Sequence, residues 1–164
     1  LELDDDIQIG SCEEIMPIEH GWDPGACRCP EVLVVDDESF NIIAIESILQ
    51  SMELRTEIAF NGEEALVKAK HRAANPCGKA CQYFKVIFMD CTMPVMNGFE
   101  ATKQLKSLMR EKKIPYTYIV ACTALAQSSD IKLSLDSGMD EFCSKPISKA
   151  KISKILSKLQ YCPC

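Results

Sequence analysis

Basic charge is scarce in this sequence. Against 24 Asp+Glu it has 18 Lys+Arg, a formal net charge of −6. It therefore lacks the basic patch that a nucleic-acid or anionic-membrane surface normally carries. Long apolar runs are missing too. The longest, Val32-Leu33-Val34-Val35 and Val86-Ile87-Phe88-Met89, are strand-length and fall far short of the roughly 18–20 residues that span a bilayer. These absences predict no nucleic-acid partner and no direct membrane insertion. No secretory leader is expected in residues 1–10, which are acidic and have no apolar core. The first residue is not Met, so the expectation is a piece of something larger. Cysteine, by contrast, is abundant, with ten in 164 residues. Disulfide scaffolds are small and loop-rich, whereas this chain has strong helix and strand patterns. Reduced thiols in the cytosol are the expectation.

The length suits one ordinary domain with an appendage. Residues 1–29 read as an acidic linker or tail without periodicity, ending near the turn signal Asp23-Pro24-Gly25. Trp22 is an aromatic by which part of that tail could pack onto the domain. From Pro30 onward, strand and helix patterns alternate. Strands are predicted over 31–36, 54–60, 85–89, 116–122 and 141–144. The first helix, 39–52, carries Phe40, Ile43, Ala44 and Ile48 at helical spacing. The second begins after Asn61, with Glu64 three residues on, a capping signature, and has Ala65, Leu66 and Ala69 as its inner stripe. Asn97 and Glu100 repeat that signature before a helix bearing Leu105, Leu108 and Met109. A fourth helix over 128–137 stops at Gly138. Ser148 caps a last one, with Ile152, Ile155, Leu156 and Leu159 on one face.

Five strands alternating with five helices imply an α/β fold, a doubly wound parallel sheet covered on both faces. Sites in that architecture lie at the C-terminal ends of the strands. Those ends carry Asp36-Asp37, Asp90, Thr123 and Lys145. Carboxylates gathered at neutral pH repel, and a hard divalent cation such as Mg²⁺, which often shares its site with a phosphoryl group, relieves them. A lysine adds compact positive charge, and a threonine hydroxyl adds a hydrogen bond. The set describes a phosphoryl pocket in which an Asp carboxylate attacks phosphorus to give an acyl phosphate, with positioning and charge neutralisation as the source of rate. Each residue alone has a blander reading as a cap, a turn residue or a solvated side chain. All of them in this order are much rarer by chance.

At this point residues 30–160 resemble the receiver domain of two-component response regulators and hybrid histidine kinases. The resemblance rests on Val32-Leu33-Val34-Val35-Asp36-Asp37-Glu38, on Met89-Asp90-Cys91-Thr92-Met93-Pro94-Val95-Met96-Asn97-Gly98, on Ala121-Cys122-Thr123-Ala124 and on Phe142-Cys143-Ser144-Lys145-Pro146. It implies a (β/α)5 flavodoxin-like fold with strand order 2-1-3-4-5, and a receiver spanning 30–161 with 162–164 as a short tail. It implies that Asp90 takes a phosphoryl group. Asp37, Asp90 and the Thr92 main-chain oxygen would ligate Mg²⁺, with Asp36 helping through water. Thr123 and Lys145 would hold phosphoryl oxygens. Thr123 and Phe142 would act as the switch, altering the face made by helix four, strand five and helix five, through which a dimer could form. The Lys145–Pro146 bond is a candidate cis peptide. The implied partners are a histidine kinase or a histidine phosphotransfer domain. Two features depart from the pattern: Phe142 stands where Tyr is commoner, and 71–83 is an enlarged loop before strand three.

Four cysteines stand apart from that chemistry. Cys27 and Cys29 precede strand one, and Cys77 and Cys81 precede strand three. In the resembled fold those strands are neighbours, so the four thiols would meet at the edge opposite the phosphoryl pocket. There they could form a structural zinc site, or a disulfide in the purified protein. Cys91, Cys122 and Cys143 read as small apolar fillers.

The leading expectation is a phosphoacceptor module that is no enzyme beyond self-catalysed phosphotransfer and slow autodephosphorylation. The acidic tail, and the lack of a DNA-binding segment after Gln160, favour a hybrid kinase as its context, in the cytoplasm or tethered to a membrane-bound kinase. A pseudo-receiver that no longer takes phosphate is one alternative. An Asp-nucleophile phosphatase of the haloacid-dehalogenase type is another, but it needs a second Asp two residues after the nucleophile, where this chain has Thr92.

Overall fold

The computed structural model describes residues 28–77, 81–124 and 127–160. The expected tail up to Cys27, Trp22 within it, and the end at 162–164 lie outside the described residues. The elements alternate as β1 (Val32–Val35), α1 (Ser39–Gln50), β2 (Thr56–Ala59), α2 (Gly62–Ala74), β3 (Val86–Asp90), α3 (Gly98–Arg110), β4 (Tyr118–Thr123), α4 (Ser128–Ser137), β5 (Glu141–Ser144) and α5 (Lys149–Gln160). The strands form one parallel sheet of order β2-β1-β3-β4-β5. This is the expected doubly wound fold.

Side-chain alternation along the strands divides the core into two layers. Leu33, Val35, Ile87, Met89, Ile119 and Ala121 point to the side covered by Ala65, Leu66 and Ala69 of α2 and Ala101 and Leu105 of α3. Val32, Val34, Val86, Phe88, Val120 and Cys122 face α1 and α5, including Ile152, Ile155, Leu156 and Leu159. Because both faces are covered, the inner strands β1 and β3 are apolar up to their C-terminal ends, as a buried parallel sheet requires.

The helix starts follow the cap chemistry. Asn61 Oδ1 accepts from Glu64 N at 2.9 Å, and the Glu64 carboxylate returns to Phe60 N at 2.9 Å. Asn97 Oδ1 likewise accepts from Glu100 N at 2.9 Å. Helix α4 ends where Gly138 takes φ 92°, a left-handed geometry that favours glycine.

Two expectations need correction. The buried stripe of α1 is Ile42, Ile45 and Leu49, whereas Phe40 and Ile43 are 85% and 61% exposed. Residues 42–45 of that helix are Ile-Ile-Ala-Ile, so helical spacing fits more than one face and cannot select among them. The loop before β3 is also shorter than 71–83. Helix α2 continues through Ala74, and the His71 carbonyl accepts from both Asn75 N at 3.0 Å and Asn75 Nδ2 at 2.9 Å. Among the described residues, no helix is long and apolar enough to cross a membrane.

Candidate functional site

Strand register brings the polar ends together. Val35 pairs with Met89, so Asp36 and Asp90 follow side by side on neighbouring strands. Asp90 pairs with Cys122, and Thr123 pairs with Ser144, which puts Thr123 and Lys145 one position further along the same edge. The connection after β5 is firmly placed. Lys145 N donates to Thr123 O at 2.8 Å, while Lys151 Nζ donates to the carbonyls of Ser144 at 2.8 Å and Pro146 at 3.1 Å. The Lys145–Pro146 peptide is cis.

Carboxylate oxygens of Asp36, Asp37 and Asp90 all lie within 4.8 Å of one another. Asp36 is buried at 1% exposure and Asp90 at 7%, while Asp37 is exposed. Lys145 Nζ reaches Asp36 Oδ2 at 2.6 Å and Asp90 Oδ1 at 3.3 Å. The other oxygen of Asp36 accepts from Glu38 N at 2.9 Å and Asn41 Nδ2 at 3.1 Å. Thr123 is buried at the tip of β4. Thr92 is exposed just after β3.

These contacts set the charge states. Burial pushes the Asp90 carboxyl above its ordinary value. The Lys145 ammonium opposes that shift, and the Asp36 charge adds to it. Burial works against the Lys145 ammonium, but its hydrogen bond to Asp36 and the two carboxylate charges outweigh it and raise its pKa. The lysine is therefore held charged among carboxylates that crowd one another. Burial also pushes the Cys91 thiol up to about 11 and raises those of Cys122 and Cys143. All three are buried, and as protonated thiols they serve as the expected apolar filler.

The loop after β3 requires a glycine. A Cβ added to Gly98 would come 2.1 Å from the Asp90 carbonyl oxygen, so α3 can start this close to the acidic edge only without a side chain there. In the same loop, Val95 is 77% exposed and takes φ 69°, an unusual conformation for a β-branched residue. The neighbouring Met96 carbonyl accepts from Gly62 N at 3.0 Å, tying the loop to the start of α2. Phe142 on β5 is partly buried and packs against the core layer of α2 and α3.

Sequence reasoning missed two supports of this edge, Asn41 and Lys151. Asn41 is the one amide side chain in the first turn of α1, beside the run Ile42-Ile43-Ala44-Ile45, which could have flagged it. Lys151 resembles any other lysine of α5, and no pattern singles it out. On the opposite edge, Cys29, Cys77 and Cys81 come together, while Cys27 lies outside the described residues.

A family model described as the response regulator receiver domain matches residues 32–157. The chain belongs to that family. As a receiver domain it is 36% identical over 128 residues to hybrid signal transduction histidine kinase A of Dictyostelium discoideum, a match covering 78% of this chain and 6% of that protein. It is 31% identical to two-component response regulator 24 of Arabidopsis thaliana, covering 79% of this chain and 83% of the relative. Among solved structures, it is similar to the receiver domain of a Pseudomonas aeruginosa sensor histidine kinase with magnesium coordinated in the active-site cleft (TM-score 0.66, 27% identity, 80% of this chain and 98% of that one). It is also similar to the Saccharomyces cerevisiae Ssk1 receiver, solved with the histidine phosphotransfer protein Ypd1 (TM-score 0.68, 27% identity, 80% and 89%). This receiver thus spans a small part of the hybrid kinases it matches, and most of the length of that response regulator.

Proposed function

We propose that Asp90 is the phosphoacceptor of this receiver. One Asp90 carboxylate oxygen attacks the phosphorus of a phosphohistidine, the P–N bond breaks, the imidazole leaves, and an acyl phosphate remains on Asp90. The convergence of Asp36, Asp37 and Asp90 within 4.8 Å, with Lys145 on two of them, carries the reading. The donor set is all hard oxygen and suits Mg²⁺. Asp37, Asp90 and the Thr92 main-chain oxygen would hold the ion, with Asp36 acting through water. Bound there, Mg²⁺ would offset charge on the phosphoryl oxygens. Lys145 neutralises one further oxygen, and Thr123 donates its hydroxyl to another. Slow hydrolysis of the acyl phosphate is then the only turnover.

The context we infer is a hybrid histidine kinase, supported by the relatives, with a histidine kinase or histidine phosphotransfer domain as donor or acceptor. Movement of Thr123 toward the phosphoryl group, followed by Phe142, would change the α4-β5-α5 face. The composition of α4 supports a role in contacts. Its buried residues are Ser134 and Ser137, while Leu133 and Leu135 are 50% and 63% exposed. The deciding experiment is incubation with Mg²⁺ and a small phosphodonor, followed by intact mass. One acid-labile adduct is expected, absent from Asp90→Asn. An adduct that survives that substitution places the chemistry elsewhere, and no adduct on the wild-type chain favours a pseudo-receiver.

A further inference from the structure

Three thiols gather at the edge of the sheet opposite the acidic cluster. Cys29 lies just before β1, Cys77 just after α2, and Cys81 before β3. Their sulfur atoms all fall within 4.8 Å of one another, with Cys29 Sγ and Cys77 Sγ 3.3 Å apart. We propose that Cys29, Cys77 and Cys81 bind a zinc ion as three thiolates, pinning the loop before β3 to the chain entering β1.

The spacing suits the ion. Zinc–thiolate bonds of about 2.3 Å in tetrahedral geometry put sulfurs roughly 3.8 Å apart, so small side-chain adjustments would complete the set. Three thiolates leave a fourth tetrahedral position for water or another donor. Each thiol gives up its proton on binding, so affinity falls as pH is lowered.

The backbone that carries these thiols is positioned by other groups. Arg72, at the end of α2, donates Nε to the Cys81 carbonyl at 2.9 Å and an Nη to the Pro30 carbonyl, and its guanidinium lies 4.9 Å from the centre of the Phe84 ring. Arg55 Nε donates to the Cys29 carbonyl at 3.0 Å. Lys85 N donates to Glu31 O at 2.8 Å, joining the entries of β3 and β1 directly. The Cys29 and Cys81 segments therefore meet, with Arg72 of α2 between them, through hydrogen bonds that do not involve sulfur, which lowers the ordering cost of binding. Cys81 is 9% exposed and Cys77 is exposed, so the site is anchored on one side and open to an entering ion on the other.

Donor chemistry separates this edge from the phosphoryl edge. Thiolates select zinc and other soft ions, whereas the carboxylates at the opposite ends of the strands suit magnesium. The cluster lies outside the residues that the phosphoacceptor chemistry uses, so the two proposals stand or fall separately.

The test is zinc content of the 164-residue chain, purified in reductant without chelator, equilibrated with zinc and desalted, with cobalt(II) as a spectroscopic substitute. One zinc per chain is expected, together with thiolate-to-cobalt charge transfer. Losing a ligand should cost more than the 10–100-fold typical of outer-shell changes, so Cys77→Ser and Cys81→Ser should each bind about 100-fold more weakly or worse. Cys77 is exposed, so Cys77→Ser should keep a cooperative urea transition, which separates ligand loss from misfolding. The proposal is overturned by a folded chain that retains no zinc, by zinc content unchanged in both variants, or by a Cys29–Cys77 disulfide that persists in reductant.

Discussion

Replacing Lys145 with methionine keeps most of the side-chain volume and removes the charge between two buried carboxylates. At an effective dielectric of about 20, Lys145 attracts Asp90 at 3.3 Å by about 5 kcal/mol and Asp36 at 2.6 Å by about 6 kcal/mol. The two carboxylates, with oxygens no more than 4.8 Å apart, repel by at least about 3.5 kcal/mol. Desolvation of the ammonium cancels much of that gross attraction, and breaking a buried pair by removing one partner typically costs about 3–5 kcal/mol. Lys145→Met should therefore lower the metal-free unfolding free energy by roughly that amount at neutral pH. The pH dependence has a definite sign. Burial already raises the Asp90 pKa in the folded chain, and loss of Lys145 raises it further. A folded carboxyl pKa above the unfolded one makes the charged form a destabilising load at higher pH, relieved as pH falls through the folded value. The deficit of the variant should thus shrink on mild acidification, and Mg²⁺ should restore more stability to the variant than to the parent. Urea unfolding at two pH values, with and without Mg²⁺, measures all three effects. A deficit of the same size under every condition would mean that Lys145 acts by packing, and the electrostatic account of this edge would be wrong.

Two further outcomes follow from the geometry. Gly98→Ala forces a Cβ to within 2.1 Å of the Asp90 carbonyl oxygen; overpacking of this kind costs about 1–3 kcal/mol or more, and displacement of the Asp90 backbone should slow adduct formation. A variant with wild-type urea midpoint and adduct rate would refute the close approach. If the exposed leucines of α4 join a phosphorylation-dependent dimer, sedimentation velocity should show a shift to dimer with Mg²⁺ and beryllofluoride that Leu135→Glu abolishes; an unchanged monomer with the analogue bound would remove that face as a dimer surface.

Local chemistry was the legible part of this chain. Helix α4 and strand β5 have the bounds read from sequence, because Gly138 with φ 92° ends one and begins the approach to the other. The Asn61 and Asn97 caps were legible because each pairs with a glutamate three residues on. The buried face of α1 was not, since periodicity distinguishes faces only when one of them is polar. The acidic edge could be anticipated from strand ends alone. Its supports, Asn41 on Asp36 and Lys151 on the Ser144 and Pro146 carbonyls, are local contacts made across the turns after β1 and β5, and of the two only Asn41 carried a signal in the sequence.

Tertiary placement, by contrast, explains the cysteines and leads to a more general point about this fold. Sequence spacing places Cys29 and Cys81 far apart, and only the pairing of β1 with β3 makes their neighbourhoods adjacent. In a parallel sheet every strand runs the same way, so residues just before two neighbouring strands meet at one edge and residues just after them meet at the other. The β1–β3 pair therefore defines both clusters here: carboxylates at Asp36 and Asp90 where the strands end, and thiols at Cys29 and Cys81 close to where they begin. The carboxylates impose a cost through burial and mutual repulsion, offset by Lys145. The thiols sit where Arg72 and Arg55 already hold the backbone. A metal at the thiol edge would brace the entries of the two strands whose ends carry the phosphoryl chemistry, without entering that chemistry itself. Loss of zinc should then lower the stability of the receiver while leaving intact the residues that take the phosphoryl group.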